Sequence, residues 1–301
     1  MQEVNMQDVF IVGCGYVGLH VAQSCLAQQQ RVIALARSTD RSTTLQSMDI
    51  TPVAGDLDKP ETLRSLSLKE MSVFYFAPPP SEGITDPRLT HFLDSINPEA
   101  LPARIVLIST TGVYGNCGGV WIDERWVVNP KTDRALRRIH AEKILASWCK
   151  AHGVEYVILR VPGIYGPYRL PIKRLQKKLP VLHHSIAPFS NRIHLHDLTR
   201  ACVAAMEKGH SGEIYNVSDG HPTTMTDYFN QVADAVGLER PPVIDRATAQ
   251  TQLSAEMRSY LAESRRLDNQ KMYHDLDIAP DYPTLSAGLA QCIQVMRRDV
   301  G

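Results

Sequence analysis

The feature that most constrains the fold is a glycine-rich turn between a short apolar run and a helix-length amphipathic segment near the N-terminus. The residues of this turn, in order, are Gly13, Cys14, Gly15, Tyr16, Val17 and Gly18. Gly13 permits the tight turn, Gly15 lets the backbone approach a pyrophosphate, and Gly18 lets the helix pack closely on the strand. The amides of Tyr16 and Val17 open the helix, where phosphate groups bind. The turn predicts a dinucleotide site, and a glycine turn without a ligand is the alternative.

Short apolar runs alternate with helix-length segments through the first half of the chain. The runs that predict buried strands cover residues 9–12, 31–36, 51–54, 72–77, 104–108 and 155–159. This alternation is typical of an α/β fold with a doubly wound parallel sheet, the Rossmann fold. After Arg160 the pattern breaks into proline-rich segments. We therefore predict an NAD(P)-binding core over residues 1–160 and a smaller C-terminal substrate-binding lobe over residues 161–301, which returns segments to the core.

Composition excludes several classes of partner. Lys and Arg together number 32, as do Asp and Glu, which removes the electrostatic case for a nucleic-acid partner. No apolar run approaches the roughly 18 residues needed to span a membrane, and the N-terminus carries acids rather than a basic leader. We therefore expect a cytoplasmic protein. The six cysteines lack paired spacing, which predicts free thiols and no metal site.

The end of the predicted second strand carries Arg37, where an acid would bind the ribose hydroxyl of NAD. A guanidinium can instead hold the 2′-phosphate of NADP in a bidentate contact. NADP is therefore the favoured cofactor. NAD stays open because Asp40 can swing in to take the hydroxyl, and a merely solvated charge is the alternative role for Arg37.

Two later strand ends complete the predicted cofactor groove. Asp56 and Leu57 follow the third predicted strand, which places them beside the adenine. Ala77 and Pro78 begin a stiff proline turn after the fourth predicted strand and are expected to line the groove. The alternative role of these prolines is only to redirect the chain.

Four later segments, taken with the glycine turn, resemble the extended short-chain dehydrogenase/reductase family. The chain is similar in particular to the NAD-dependent epimerase/dehydratase branch, which works on nucleotide-diphosphate sugars. The segments are STTGVYG at 109–115, LRVPGIYGP at 159–167, IHLHDL at 193–198 and IYNV at 214–217. The resemblance runs from residue 9 to about residue 288. It implies that Thr110 polarises the substrate oxygen.

The resemblance also implies a tyrosine as general acid/base and, four residues later, a lysine that lowers its pKa. Counting back from Glu142, which matches the acid that ends this motif, the two positions hold Arg134 and Arg138. Arginine keeps its proton, so Arg134 cannot act as a base, although it can bind an oxyanion or a phosphate. Arg138 can still hold a ribose hydroxyl of the cofactor. Tyr114 and His140 remain as substitute proton carriers, with packing as the alternative for Tyr114.

A second departure from the family concerns the substrate. Sugar-nucleotide members carry Asn at the position that holds Gly163 here. Arg192, Lys173 and Arg174 are candidates for compensating positive charge, and ordinary surface cations are the alternative. We therefore expect a small-molecule substrate, either a nucleotide sugar or another anionic compound.

Two functions remain open at this point. The favoured one is an NADP-dependent oxidoreductase, or an epimerase/dehydratase-like enzyme, whose surviving polar catalytic residue is Thr110. The alternative is a non-catalytic NADP(H)-binding sensor or scaffold. The helical segments 87–96 and 133–152 match those that form a dimer in relatives, and their amphipathic pattern permits a homodimer here.

Overall fold

The computed structural model describes residues 7–63 and 66–298, and a seven-stranded parallel sheet lies at its centre. The strands are, in chain order, β1 (Val9–Val12), β2 (Val32–Ala36), β3 (Thr51–Ala54), β4 (Ser72–Tyr75), β5 (Arg104–Thr110), β6 (Trp121–Ile122), β7 (Glu155–Val161), β8 (Gly163–Tyr165), β9 (Val181–Leu182), β10 (Phe189–Ser190), β11 (Arg192–His194), β12 (Ile214–Asn216), β13 (Thr223–Thr224), β14 (Val243–Ile244) and β15 (Arg266–Leu267). The central sheet has the order β12-β7-β5-β4-β1-β2-β3. The chain thus runs outward in both directions from the β1–β4 pair, which is the doubly wound arrangement predicted from the sequence.

Helices cover both faces of this sheet. They are, in chain order, α1 (Tyr16–Ala27), α2 (Thr39–Gln46), α3 (Pro87–Asp94), α4 (Asp133–His152), α5 (Ile172–Gln176), α6 (Leu195–Lys208), α7 (Met225–Val236), α8 (Arg246–Gln252), α9 (Ala255–Leu261), α10 (Gln270–Leu276) and α11 (Leu285–Arg298). Side chains of α1, α6 and α10 pack on one face, and those of α3 and α4 pack on the other. Because both faces are covered, every residue of β1 is buried and apolar.

All six predicted strands form, and two of them are longer than predicted. β5 continues to Thr110 and β7 to Val161, because the two strands stay paired in register up to these two residues. β4 ends earlier than predicted, at Tyr75. The extension places Thr110 at the carboxyl edge of the sheet, which is where open α/β sheets bind ligands.

The second half of the chain builds a smaller apolar cluster and also returns to the core. Side chains of α5, α7 and α11, among them Leu175, Phe229 and Leu289, form this cluster. Between these helices, β12 returns to pair in parallel with β7 at the edge of the central sheet. Among the described residues, no helix is long and apolar enough to cross a membrane.

Candidate active site

The glycine turn packs tightly everywhere except at one position. Gly13 has a φ of +92°, and a Cβ atom there would lie 2.3 Å from the backbone nitrogen of Ala77. A Cβ atom on Gly18 would lie 2.6 Å from the carbonyl oxygen of Gly13. A Cβ atom on Gly15 meets no atom within 4 Å. Open space therefore lies beside Gly15, at the start of α1, where no side chain caps the helix.

A cleft of about 260 Å³ lies against this turn, and we call it the glycine-turn cleft. Six of the residues predicted to bind a cofactor line it: Gly13, Arg37, Asp56, Leu57, Ala77 and Pro78. The other predicted cofactor residues, Gly15, Tyr16, Val17, Gly18 and Arg138, do not line it. The structure thus brings the ends of β1, β2, β3 and β4 together in one cleft.

Tyr16 and Val17 open α1 but turn their side chains elsewhere. The Tyr16 hydroxyl donates a hydrogen bond to the carbonyl of Pro167, at 2.9 Å. Burial raises the pKa of Tyr16 to about 12. Val17 is buried in the core beneath the turn. These two residues can therefore offer a ligand their backbone amides only.

Sequence reasoning missed three charged residues around this cleft. Arg88 and Asp58 line it and form a bidentate ion pair, with contacts of 2.7 and 2.6 Å. The Arg88 guanidinium holds the pKa of Asp58 below its usual value. Arg41 donates a hydrogen bond to the carbonyl of Cys14 in the glycine turn. One local signal was available for Arg41. This residue lies three positions after Ser38, whose side chain caps the N-terminus of α2.

A second cavity, of about 410 Å³, lies at the end of β5, and we call it the Thr110 cavity. Its walls come from six segments of the chain. They include Thr110, Thr111 and Gly112 at the end of β5 and just after it, Arg134 and Ala135 in α4, Gly163 in β8, Arg192 in β11, Met225 and Tyr228 in α7, and Met257 and Tyr260 in α9. Thr110 and Arg134, both predicted as catalytic residues, thus share one cavity.

Thr110 can donate a hydrogen bond in this cavity. Its Oγ1 atom accepts a hydrogen bond from the backbone N–H of Gly112 at 3.2 Å, which leaves the hydroxyl proton available. The side chain is half-buried. This arrangement suits polarisation of a substrate oxygen.

Arg134 and Arg138 lie one helical turn apart, but only Arg134 lines the Thr110 cavity. Arg134 donates to Ser259 Oγ at 2.6 Å, and its guanidinium lies 4.0 Å from the centre of the Tyr260 ring. Arg138 instead approaches the carbonyl of Ala77 at 3.5 Å. Burial lowers the pKa of Arg138. Arg134 therefore lies on the Thr110 cavity, whereas Arg138 lies beside Ala77, a residue of the glycine-turn cleft.

Neither substitute proton carrier lies in the Thr110 cavity. Tyr114 is fully buried, and its hydroxyl donates to Asn216 Oδ1 at 2.8 Å. Burial raises the pKa of Tyr114 to about 12. The Nδ1 atom of His140 accepts from the backbone N–H of Asp86 at 3.2 Å. Tyr114 is held as a packing residue, because its ring and hydroxyl are both enclosed by the fold.

Glu142, the acid that ends the altered motif, stands beneath the site in a buried ion pair. It contacts Arg160 at 2.8 Å and accepts from Ser109 Oγ at 2.5 Å. The side chains of Glu142 and Arg160 are 5% and 4% exposed. This pair ties α4 to β5 and β7 and so fixes the helix that carries Arg134.

Part of the cavity wall comes from α9 and the segment after it. No function was predicted for these residues from the sequence. Met257, Tyr260, Glu263 and Arg265 line the cavity. Arg265 pairs with Glu263 at 2.9 Å. The contacts of this wall, such as that between Arg134 and Ser259, join residues 125 positions apart. No local pattern in the sequence marks such contacts.

Comparisons with known proteins match most of this chain to one protein family. A model of the NAD dependent epimerase/dehydratase family matches residues 9–218. The protein YeeZ of Escherichia coli K12 is 27% identical over 248 residues, which cover 78% of this chain and 86% of that protein. A dTDP-glucose 4,6-dehydratase of Streptomyces niveus is 29% identical over 147 residues, which cover 44% of this chain and 42% of the dehydratase. This chain thus matches less than half of the dehydratase.

Among solved structures, the UDP-glucose 4-epimerase of Thermotoga maritima, with UDP-glucose, is similar in fold. The TM-score is 0.79 and the sequence identity is 18%, over 98% of this chain and 100% of the epimerase. At this level of identity the likeness concerns the architecture of the chain.

Proposed function

The chain belongs to the NAD-dependent epimerase/dehydratase family, and we propose that it binds NADP in the glycine-turn cleft and transfers a hydride to or from a small anionic substrate, such as a nucleotide sugar, in the Thr110 cavity. The observation that carries the proposal is the position of Arg37. This exposed cation lies on the wall of the same cleft as Gly13 and Ala77. Bound NADP would supply the hydride chemistry.

Three observations support binding of the cofactor in this cleft and at the glycine turn beside it. The space beside Gly15 and the uncapped start of α1 suit a pyrophosphate, because free helix amides attract phosphate oxygens. Arg37 can hold a 2′-phosphate in a bidentate contact. Asp58, an acid in the cleft, is engaged by Arg88. Arg138, at the carbonyl of Ala77, is the candidate contact for the nicotinamide ribose.

In the Thr110 cavity, the residues can orient a substrate better than they can move a proton. The Thr110 hydroxyl can donate to a substrate oxygen, and Arg134 can hold negative charge on the substrate. Arg134 and Arg138 stand in place of the tyrosine and lysine, so general acid/base help worth about 10²–10⁴-fold is missing. We therefore expect slow turnover, with Thr110 as its main catalytic residue.

A non-catalytic NADP(H) sensor or scaffold is the second candidate function. It is favoured by the fact that Arg134 keeps its proton and that Tyr114 is enclosed. The two candidates differ in one measurable property, which is substrate-dependent consumption of NADPH.

We expect the protein to bind NADPH at least about ten times more tightly than NADH. One charged bidentate contact contributes about 1.5–3 kcal/mol, and each 1.4 kcal/mol is about tenfold in affinity. Fluorescence titration of both cofactors measures the preference. Arg37→Asp should remove it, and Lys59→Asp, an equal charge change that does not line the cleft, should keep it. Equal affinities in the wild type would contradict the NADP assignment.

Gly15→Val tests the position of the pyrophosphate. The branched side chain would fill the space beside Gly15, so we expect NADPH affinity to fall by more than about 100-fold, or about 2.7 kcal/mol. Because a Cβ there meets no protein atom within 4 Å, the melting temperature should stay near that of the wild type. Unchanged NADPH binding, measured by calorimetry, would place the phosphate site elsewhere.

The catalytic proposal is tested by NADPH absorbance with a panel of nucleotide sugars and other anionic carbonyl compounds. Activity should be low and should fall further in Thr110→Ala. The double variant Arg134→Tyr with Arg138→Lys should keep NADPH affinity within a few-fold, because a lysine at position 138 can still donate to the nicotinamide ribose and Arg134 does not line the glycine-turn cleft. No turnover in either protein, with NADPH binding intact, would favour the sensor. Fast turnover of a neutral substrate that survives Thr110→Ala would show that the active site is misplaced.

We also propose a cytoplasmic location and a homodimer that pairs α3 and α4 across a two-fold axis. The dimer rests on the place of these helices on one face of the sheet. Light scattering of the purified protein, and of a variant with charge placed on the exposed face of α4 by Lys143→Glu, tests it.

A further inference from the structure

Arg192 is a buried cation on the wall of the Thr110 cavity, and it forms no ion pair with any of the described residues. Arg192 is the first residue of β11 and is 8% exposed. The guanidinium donates to the carbonyl of Asn191 at 3.3 Å, contacts the sulfur of Met225 at 3.2 Å and lies 4.1 Å from the centre of the Tyr228 ring. Its Nε atom has no hydrogen-bond partner. Within residues 7–63 and 66–298, no carboxylate lies within ion-pair distance of it.

Asp219 is the acid whose charge acts on Arg192, and it does not fully neutralise the guanidinium. The backbone N–H of Asp219 donates to the carbonyl of Arg192 at 2.9 Å, so the two residues are neighbours. Burial raises the pKa of Asp219 to about 7, and its Oδ2 atom has no hydrogen-bond partner in the described part of the chain. A carboxyl group in this state is protonated in a large part of the molecules near neutral pH. Asp219 therefore compensates the positive charge of Arg192 only in part.

Gly163 leaves the space that the guanidinium of Arg192 occupies. The two residues are directly paired between β8 and β11. A Cβ atom on Gly163 would lie 2.3 Å from the Nη1 atom of Arg192. A larger side chain at position 163 and this guanidinium would claim the same volume. The position of the Arg192 guanidinium therefore depends on the absence of a side chain at Gly163.

The balance of charge in the cavity points to an anionic ligand. Arg265 is neutralised by Glu263, which leaves Arg134 and Arg192 as cations of the wall without an ion pair among the described residues. Burial of a charge costs several kcal/mol unless a partner offsets it. The counter-charge that would offset this cost can come from a ligand.

We propose that Arg192 binds an oxyanion of the substrate, a phosphate or a carboxylate, and that the pair Gly163 and Arg192 makes the Thr110 cavity selective for anions. The inference rests on the proposed function, in that it takes this cavity as the substrate site. A guanidinium binds either oxyanion through paired N–H groups, which gives both charge and direction. The substrate anion is thus held by the lobe, while the cofactor is held by the core.

The test measures binding, so it does not depend on turnover. With NADPH saturating, the wild type is titrated by calorimetry with uridine diphosphate, with uridine, with glucuronate and with glucose. Uridine diphosphate reports a phosphate and glucuronate reports a carboxylate, and the other two are their uncharged counterparts. We expect at least one charged probe to bind more tightly than its counterpart. Arg192→Met should weaken that probe by about 10–100-fold, the size of one charged bidentate contact.

Three variants separate this role from a structural one. Lys173→Met removes an exposed cation that does not line the cavity and should change nothing. Arg192→Lys should keep part of the affinity, because the charge remains without the planar donor pair. Gly163→Ala should weaken the charged probe as Arg192→Met does, and the double variant should show no further loss. Without a ligand, Arg192→Met should melt no lower than the wild type, because an apolar side chain replaces an unpaired buried charge.

The outcomes are distinct. Absence of any preference for charged probes in the wild type, or a preference that survives Arg192→Met, overturns this inference and leaves the cofactor proposal in place. A lower melting temperature of Arg192→Met together with unchanged probe affinity also overturns it and assigns Arg192 a structural role. Failure of the wild type to bind NADPH overturns the proposed function instead, and the same titrations without NADPH then test Arg192 alone.

Discussion

Two buried arginines, one beneath the site and one on its wall, differ in how the protein handles their charge. Arg160, next to the last residue of β7, is 4% exposed, and Arg192, the first residue of β11, is 8% exposed. Each guanidinium also lies over a tyrosine ring, at 4.8 and 4.1 Å. Arg160 has Glu142 as a partner, whereas Arg192 has no ion pair among the described residues. The charge of Arg160 is balanced within the chain and stabilises the fold. We propose that the charge of Arg192 is balanced by a ligand.

The paired arginine also shows what Glu142 does in this fold. Glu142 accepts hydrogen bonds from Ser109 and from Arg160. These contacts anchor α4 to two central strands whether or not the helix carries a proton donor. Loss of Glu142 would leave Arg160 buried without its acid.

The strongest test of the comparison is Glu142→Ala. Removal of one partner of a buried ion pair costs about 3–5 kcal/mol, because the other charge stays buried. We expect a loss of this size in the free energy of unfolding, measured by urea denaturation. Lys143→Ala, at the exposed neighbouring position, should change the stability by less than about 0.5 kcal/mol. Similar stability of Glu142→Ala and the wild type would mean that Arg160 finds another partner.

The pH dependence of stability tests the cavity side of the comparison. Burial raises the pKa of Asp219 from 3.8 to about 7, so between these values the folded state holds a proton that the unfolded state has lost. The free energy of unfolding therefore falls as the pH rises from about 4 to about 7. Asp219→Asn should lack this fall and gain about 1–3 kcal/mol over the wild type at pH 8. Asp94→Asn, on the exposed end of α3, is the control, and parallel pH profiles for Asp219→Asn and the wild type would refute the prediction.

The smallest effect is expected at the ion pair of the glycine-turn cleft. Asp58 is 45% exposed and Arg88 is 21% exposed, so water screens this pair. Asp58→Ala should lower the free energy of unfolding by about 0–1 kcal/mol, and added salt should reduce the difference further. A loss as large as that of Glu142→Ala would mean that exposure does not separate the two kinds of pair.

The elements that the sequence predicted well are those with a local signal. The run Val9–Val12 and the glycines after it predict a strand, a turn and a helix, because close packing at Gly13 and Gly18 excludes other side chains. The family resemblance implied that Thr110 and Arg134 belong to one site, and both residues line the Thr110 cavity.

The elements that the sequence missed depend on contacts between distant segments. Met257 and Tyr260 reach the cavity because α9 packs against α4, and nothing in residues 255–261 marks that neighbour. Tyr114 stayed a candidate proton carrier because the sequence does not show that its hydroxyl donates to Asn216. That residue lies 102 positions away, in β12. The charge of Arg192 was noticed, but its burial and its pairing with Gly163 needed the register of β8 and β11.

The place of β12 in the sheet determines when the fold can be completed during synthesis. β12 lies beside β7 but follows the whole segment 162–213 in the chain, so the ribosome has made much of the lobe before the sheet is whole. Until residue 216 emerges, the outer edge of β7 offers unpaired backbone groups, which are a template for aggregation. We therefore expect a chain that ends near residue 160 to aggregate more readily than the full chain.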